Sequence, residues 1–331
     1  MNEDKAHIIR KFYWLIVLVI AIWITSWIIT DNLYQNVEDR GAFGDKFGFI
    51  NSLFSGLALA GIIYSIFLQQ KELSLQRTEL KETKEEFKDQ NFQTTFFNLL
   101  KTQNQLADDI STRIGYLKSY NREHYEDIVG RRFFNHSKHQ LLRIEKVLDS
   151  DRYYTYSRWT EEDEYLHGPN SIWDAEHMNN FMKIGFTFKY YKIDKEMWEN
   201  SKNLNPIEKA ERLYAIFFNK FHFVIGHYFR HIYHILLFLE DTEQEKLSKT
   251  KDIADRDRIS KEFKQYADFI QAQMSTPELF LLFYNALSFP KLQRLLIKYN
   301  TLENLPVEDL LSPKHNVIDG INLKSRMELL R

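Results

Sequence analysis

The sequence predicts an all-α protein with an N-terminal two-helix transmembrane hairpin, a long connecting helix and a C-terminal helical cytosolic domain. Two long uncharged apolar runs, residues 12–30 and 48–68, lie near the start of the chain. Glycine and proline are scarce, at 11 and 6 of 331 residues, and the sequence shows no regularly alternating strands. The formal net charge of −2 provides no basic excess for nucleic-acid binding, and the absence of cysteine excludes disulfides, thiolate metal sites and a cysteine nucleophile.

The first apolar run, residues 12–30, predicts a transmembrane helix that follows a cytoplasmic N-terminus of residues 1–11. At ~1.5 Å per residue the run is long enough to cross a hydrocarbon layer of ~30 Å. Tyr13 and Trp14 lie at one end and Trp27 at the other, as is typical of aromatic rings at the two membrane interfaces. A cleaved signal peptide is the alternative, but the run is too long, no small-x-small cleavage site follows, and a second span comes next.

The second run, residues 48–68, predicts a second span, so that the hairpin covers residues 12–68 with a polar loop at 31–47. The loop contains the basic residues Arg40 and Lys46 beside several acidic ones, whereas both outer flanks are richer in Lys and Arg. The flanking basic residues are Lys5, Arg10 and Lys11 before the first span and Lys71, Arg77, Lys81, Lys84 and Lys88 after the second. Because cytoplasmic flanks carry the excess of Lys and Arg, both termini are predicted to be cytoplasmic and the loop to lie outside.

Small residues recur at every fourth position of the second span, at Gly48, Ser52, Gly56 and Ala60. This spacing places them on one stripe of a helix, where small side chains allow a second helix backbone to approach closely. The stripe packs either on the first span of the same chain or between chains. The first span offers bulky Ile, Leu, Val and Trp and no comparable stripe, which makes self-association of the second span plausible.

The second span continues without Gly or Pro into a predicted helical stalk at residues 69–91. Ile66, Leu73, Leu80 and Phe87 are seven residues apart, which is a heptad spacing. The positions three residues further on are mostly Gln, so the pattern is that of a weak coiled coil. A single solvated helix and an oligomeric stalk both fit it.

Residues 92–331 predict one helical cytosolic domain. Asn205 is placed to cap one helix, and Ser275 with Glu278 forms an S-x-x-E capping box ahead of an apolar run. Residues 150–180 are aromatic and acidic without clear periodicity, which indicates an insertion or long loop on the domain surface.

The stretch GHYFRHIYHILLFLED contains the densest set of polar side chains, with three histidines on one helical face. Histidines at i and i+4 can bind a metal, but no carboxylate joins them on this helix within two turns. We therefore predict no metal and favour a buried polar cluster that forms hydrogen bonds to neighbouring helices. Its residues are His227, Tyr228, Arg230, His231, Tyr233 and His234.

An alternative chemistry comes from GRRFFNHSKH, in which Arg131 and His136 match the Arg-x(4–6)-His spacing of helical ribonucleases of the HEPN type. There a histidine acts as general acid or base and an arginine stabilises phosphate charge. Arg132 and His139 fit the same spacing, which arises easily by chance. No GxxxxGK[ST], GxSxG or HExxH occurs, so neither nucleotide hydrolysis nor the common hydrolases are predicted, and no cofactor is expected.

Three blocks occur in order along residues 44–305: a first block that opens GDKFGFINSLFSGLALAGIIYSIFLQQ, then GHYFRHIYHILLFLE, then QAQMSTPELFLLFYNALS. Together they resemble the family of putative phage abortive infection proteins, the AbiC-like group. The resemblance implies a bacterial inner-membrane protein of anti-phage defence that halts growth or kills the infected cell, and it brings no agreed catalytic residues. The insertion at 150–180 has no counterpart in it. The matching positions of interest are Tyr228, Phe229, Arg230, Tyr233, Ser275, Glu278 and Asn285.

These features predict a non-enzymatic, multi-pass effector of the bacterial inner membrane. Its expected partners are the lipid bilayer, further copies of itself in a homo-oligomer, and a phage trigger or regulatory partner sensed by the cytosolic domain. Release by that trigger would let the spans rearrange and permeabilise or depolarise the membrane. Two alternatives stay open: a membrane-tethered HEPN-like ribonuclease and a non-catalytic membrane scaffold.

Overall fold

The computed structural model describes residues 14, 17–29, 32, 37–118, 122–154, 175–316 and 318–330. These residues are mostly helical, which confirms the predicted helical class, but a small β-sheet is also present. The chain divides into two units, Met1–Gln90 and Asn91–Arg331.

The first unit contains two described helices, α1 (Val17–Ile29) and the part of α2 (Val37–Asp108) up to residue 90. Within the predicted outside loop at 31–47, helix α2 begins at Val37, so most of that segment is helical. The reason is that Gly41 and Gly44 each cost a helix only ~1 kcal/mol relative to Ala, and no proline interrupts the segment. Tyr13 and the other residues of span 12–30 that precede Val17, apart from Trp14, lie outside the described residues, as does residue 30.

One helix of the described chain, α2, is long and apolar enough to cross a membrane, with a window of mean hydropathy 1.7 in which no share is buried. Helix α1 is also apolar but shorter over its described residues. Length and composition thus make α2 a candidate membrane helix, while the two-span hairpin stays a prediction.

After the last part of α2, the second unit continues with an antiparallel hairpin that the all-α prediction missed. Strand β1 (Ser111–Lys118) pairs with β2 (Arg122–Val129), with Ser111 opposite Val129 and Lys118 opposite Arg122. Eight residues are too few for a strong periodicity, and REHYEDIV is rich in charge. Such a strand is therefore hard to tell from a polar helix by its sequence alone.

The remaining elements of the second unit are helices. Asn205 caps the longest of them with Glu208 completing a capping box, and Ser275 with Glu278 does the same for another, as predicted. The helices are α3 (Arg132–Leu148), α4 (Ala175–Tyr191), α5 (Lys195–Asn200), α6 (Pro206–Ser248), α7 (Ile253–Ala272), α8 (Thr276–Ser288), α9 (Pro290–Tyr299) and α10 (Arg326–Leu329), with short 3-10 turns at Val307–Asp309 and Pro313–His315. Of the predicted insertion at 150–180, residues 155–174 lie outside the described residues and the last six begin α4.

The core of the second unit is built around α8, which contacts α3, α6 and α9. Every residue of α8 from Glu278 to Leu287 is buried, so this helix has no solvent face over that stretch. Aromatic rings fill the space between its neighbours: the rings of Phe134 and Tyr228 lie 4.9 Å apart between α3 and α6. A helix that is buried all round needs an internal partner for each polar side chain it carries.

Candidate functional site

The predicted small stripe lies on α2 in the first unit. Gly48, Ser52, Gly56 and Ala60 are all exposed. A methyl group added at Gly48 or Gly56 would meet no described atom within 4 Å outside the helix's own backbone. The stripe is thus a helix face that the described part of the chain leaves uncovered at these two glycines, and its role in helix packing stays a prediction.

The structure separates the predicted polar cluster of α6 into buried and exposed members. Tyr228 is buried and His231 and Tyr233 are half-buried, whereas His227, Arg230 and His234 are exposed. The described residues contain no group of three or more His, Asp or Glu side chains arranged to hold a metal ion.

Glu278, in the first turn of α8, is the centre of the network that Tyr228 joins. Its carboxylate is 2% exposed. Oε1 accepts a hydrogen bond from the Tyr228 hydroxyl at 2.9 Å. Oε2 accepts from the Ser275 backbone N–H at 2.8 Å, from Ser275 Oγ at 2.6 Å and from Arg131 Nη1 at 2.8 Å. A carboxylate offers about four acceptor positions, so these donors occupy it fully.

Arg131 immediately precedes α3 and connects Glu278 to two other helices. Nη1 also donates to the backbone oxygen of Gln273 at 3.0 Å, just after α7. Nη2 donates to Asn104 Oδ1 at 2.6 Å, and Nε to Asp108 Oδ1 at 3.3 Å, both on the last part of α2. The guanidinium therefore joins the end of α2, the start of α3, the end of α7 and the start of α8.

This position of Arg131 bears on the ribonuclease alternative. The side chain pairs with two carboxylates, Asp108 and Glu278, and no hydrogen bond among the described residues joins it to His136. His136 is half-buried on α3. A guanidinium neutralised by two carboxylates has little positive charge to offer a phosphate.

His231 extends the network on its other side. Its Nδ1 lies 2.8 Å from Oε1 of the buried side chain of Gln103, so the Nδ1–H tautomer can donate to α2. Burial, and to a lesser extent the nearby His234, lowers the pKa of His231. Burial, followed by the Glu278 carboxylate, raises the pKa of Tyr228 well above its usual value, so the phenol stays protonated and donates.

A second ionic cluster joins α6 to α9. Arg294 forms a bidentate pair with Glu240, with both N···O distances 2.6 Å. Lys298 and the Tyr299 hydroxyl approach the buried Glu243 at 2.7 and 2.8 Å. The hydrogen bond from Arg294 is the main reason that the pKa of Glu240 is lowered to about 2.

A comparison with protein families matches one segment of the chain, which contains part of the Glu278 network and the α6–α9 cluster. Residues 220–310 match the family model described as putative phage abortive infection protein. No curated protein and no solved structure matches the chain. The match confirms the predicted resemblance over this segment and supports a general role in anti-phage defence. It contains Tyr228, Glu278 and the whole of the α6–α9 cluster.

Sequence reasoning missed the partners that α2 and α7 contribute to the Glu278 network. Gln103, Asn104 and Gln273 occur in polar stretches with no motif. The available signal is Glu278 itself, since a carboxylate buried with its helix needs hydrogen-bond donors from neighbouring segments. With four donors from three neighbouring segments on its carboxylate, Glu278 is suited to holding helices together.

Proposed function

We propose that the protein is a non-enzymatic effector of anti-phage defence that acts at the bacterial inner membrane. In this proposal the apolar segments span the membrane twice with both termini in the cytoplasm. Infection releases a resting state held by the second unit, and several copies then assemble through the small stripe and depolarise the membrane. The family match at residues 220–310 supports the defence role.

The observation that carries the membrane step is the exposed apolar surface of α2. Phe54 is 65% exposed, Leu57 61% and Phe67 64%, and no share of the apolar window is buried. A soluble monomer rarely leaves so large a contiguous apolar surface in water. A lipid bilayer solvates such a helix, whose backbone groups are satisfied internally.

The proposed resting state depends on the network around Glu278. The part of α2 that enters this network carries Asn104 and Asp108, and the apolar window belongs to the same helix. A buried ion pair contributes little net stability, but removing one partner is costly because the other charge is left buried and unpaired. Such a contact is therefore either fully formed or fully separated. A trigger that binds only the released arrangement would shift the population in proportion to its differential affinity.

The proposal is tested with a potential-sensitive dye in bacteria that express the full chain and are challenged with phage. The decisive variant is Gly56→Ile, which fills the small stripe. Gly61→Ile is its matched control, because Gly61 has equally open surroundings and lies five residues on, roughly 140° around the helix. We expect wild type and G61I to depolarise and to protect, and G56I to do neither while still fractionating with the membrane.

Other outcomes point elsewhere. An intact membrane potential together with RNA degradation that is lost in His136→Ala would support the ribonuclease alternative. Protection that survives G56I without depolarisation would support a scaffold. Equal loss in G56I and G61I would remove the small stripe from the mechanism.

A further inference from the structure

A cavity of about 260 Å³ lies in the second unit, between β1, α3 and α4. None of its lining residues belongs to the ionic cluster of α6 and α9 or to the Glu278 network. Its lining residues are Tyr116, Leu117, Arg143, Lys146, Val147, Asn180, Lys183, Ile184 and Thr187.

The lining of this cavity is strongly cationic. Arg143, Lys146 and Lys183 contribute three positive charges, and no Asp or Glu is among the described lining residues. Lys146 and Lys183 are exposed, and neither has an ion-pair partner within the part of the chain that the structure describes. Three like charges around a small cavity repel one another, and a bound anion would offset this repulsion.

The Arg143 side chain is held in place by neutral groups and not by a carboxylate of the described residues. Nη1 donates to the backbone oxygen of Gly115 and to Gln140 Oε1, both at 2.9 Å, and Nη2 donates to Thr187 Oγ1 at 3.3 Å. These contacts fix the guanidinium by neutral groups. Of its five N–H donors, the Nε–H and one on Nη2 keep no described partner, and Nε and Nη2 form one edge of the group.

Burial without a counter-charge has an electrostatic consequence. It is the main cause of the lowered pKa of Arg143, with opposite contributions from Tyr191 and Tyr190. A part-buried guanidinium still remains charged at neutral pH. Its hydrogen-bond partners among the described residues are all neutral, so no carboxylate there balances the charge. A fixed guanidinium with two N–H donors left over can donate them to the oxygens of one phosphate group.

We propose that this cavity binds a small phosphate-bearing molecule, with Arg143 gripping the phosphate through its Nε–Nη2 edge and Lys146 and Lys183 neutralising the remaining charge. The volume admits a phosphate together with a small organic group, for which Tyr116 and Ile184 provide apolar and aromatic walls. Asn180 adds a neutral donor at the rim. The inference stands on this cavity alone and does not depend on the membrane mechanism.

The test measures binding to the detergent-solubilised full chain by titration calorimetry at constant ionic strength, with inorganic phosphate and AMP as probes and citrate as a carboxylate probe. The cavity variant is Lys146→Gln with Lys183→Gln. Its matched control is Lys251→Gln with Lys291→Gln, two other exposed lysines that remove the same charge elsewhere. Because the lysines of the cavity are exposed, the variant should keep the thermal midpoint of the unliganded wild type.

We expect a phosphate probe to bind wild type and the control pair with equal affinity, and the cavity pair to bind at least tenfold more weakly. Tighter binding of AMP than of phosphate would identify a phosphate ester as the ligand, and the reverse order would identify free phosphate. The proposal is overturned if no phosphate probe binds at millimolar concentration, if citrate alone binds, or if both lysine pairs weaken binding equally. As binding is measured without phage or lipid, failure of the membrane mechanism would leave this result unaffected.

Discussion

Replacing Glu278 with glutamine tests whether the buried network holds the second unit together. The side chain keeps its size but loses its charge, and its NH₂ group would face donors on Ser275, Tyr228 or Arg131. Removing one partner of a buried ion pair costs about 3–5 kcal/mol. The lower end applies here, about 3 kcal/mol, because the Arg131 side chain is 35% exposed and keeps Asp108.

Glu208→Gln is the matched control for Glu278→Gln. Glu208 completes a capping box at the third position of α6, as Glu278 does in α8, but it is exposed. Its loss should cost less than about 1 kcal/mol, since an exposed cap contributes little. The assay is thermal unfolding of the full chain, followed by circular dichroism.

For a unit of this size, 1 kcal/mol corresponds to roughly 2–4 °C in Tm, so E278Q should lower Tm by about 6–12 °C and E208Q by a few degrees at most. Should E278Q fail to fold, Tyr228→Phe removes one of the four hydrogen bonds and should cost about 1 kcal/mol. Equal Tm values for E278Q and E208Q would refute the reasoning, because they would mean that burial of the ion pair has no energetic consequence.

Two further expectations concern pH and packing. Arg294 depresses the folded pKa of Glu240 to about 2, so the stability from this pair is present above the unfolded pKa of about 4.3 and is lost as pH falls toward 2. The urea midpoints of wild type and Glu240→Gln should therefore converge as pH falls through that window. A difference between the two midpoints that stays constant from about pH 7 to about pH 2 would contradict this role of Glu240. A Cβ on Gly115 would lie 2.8 Å from Tyr190 Cε2, so Gly115→Ala should destabilise by about 1–3 kcal/mol in the same urea assay, whereas Gly44→Ala, with open surroundings, should not destabilise at all.

The helical class and the cap positions could be predicted because they depend on local chemistry. Asn205 accepts hydrogen bonds from backbone N–H groups of its own first turn, and Glu278 accepts one from the backbone N–H of Ser275, so each motif is readable within four residues. The hairpin of β1 and β2 could not be read in this way. Its partners are distant in the chain: Arg113 pairs with Asp127 across the strands at 2.8 Å, and Gly115 packs against Tyr190.

The candidate site was predictable in its residues more than in its connections. Tyr228 and Glu278 were singled out, but no sequence pattern indicates that they meet across α6 and α8. The ribonuclease alternative rests on the local spacing of Arg131 and His136, whereas the structure pairs Arg131 with Glu278, far along the chain. The exposed positions of His227 and His234 likewise depend on which neighbours cover α6, which a helical periodicity does not reveal.

The complete burial of α8 has a consequence for how the second unit can move. Its amide hydrogens from Glu278 to Leu287 are shielded on every side, so they should exchange with solvent only when the surrounding helices separate. A cooperative opening of that kind has no easy starting point within the apolar stretch. At its charged first turn, where Arg131 and Ser275 meet Glu278, this interior is held by polar contacts that a change of solvation or of binding partner could begin to open.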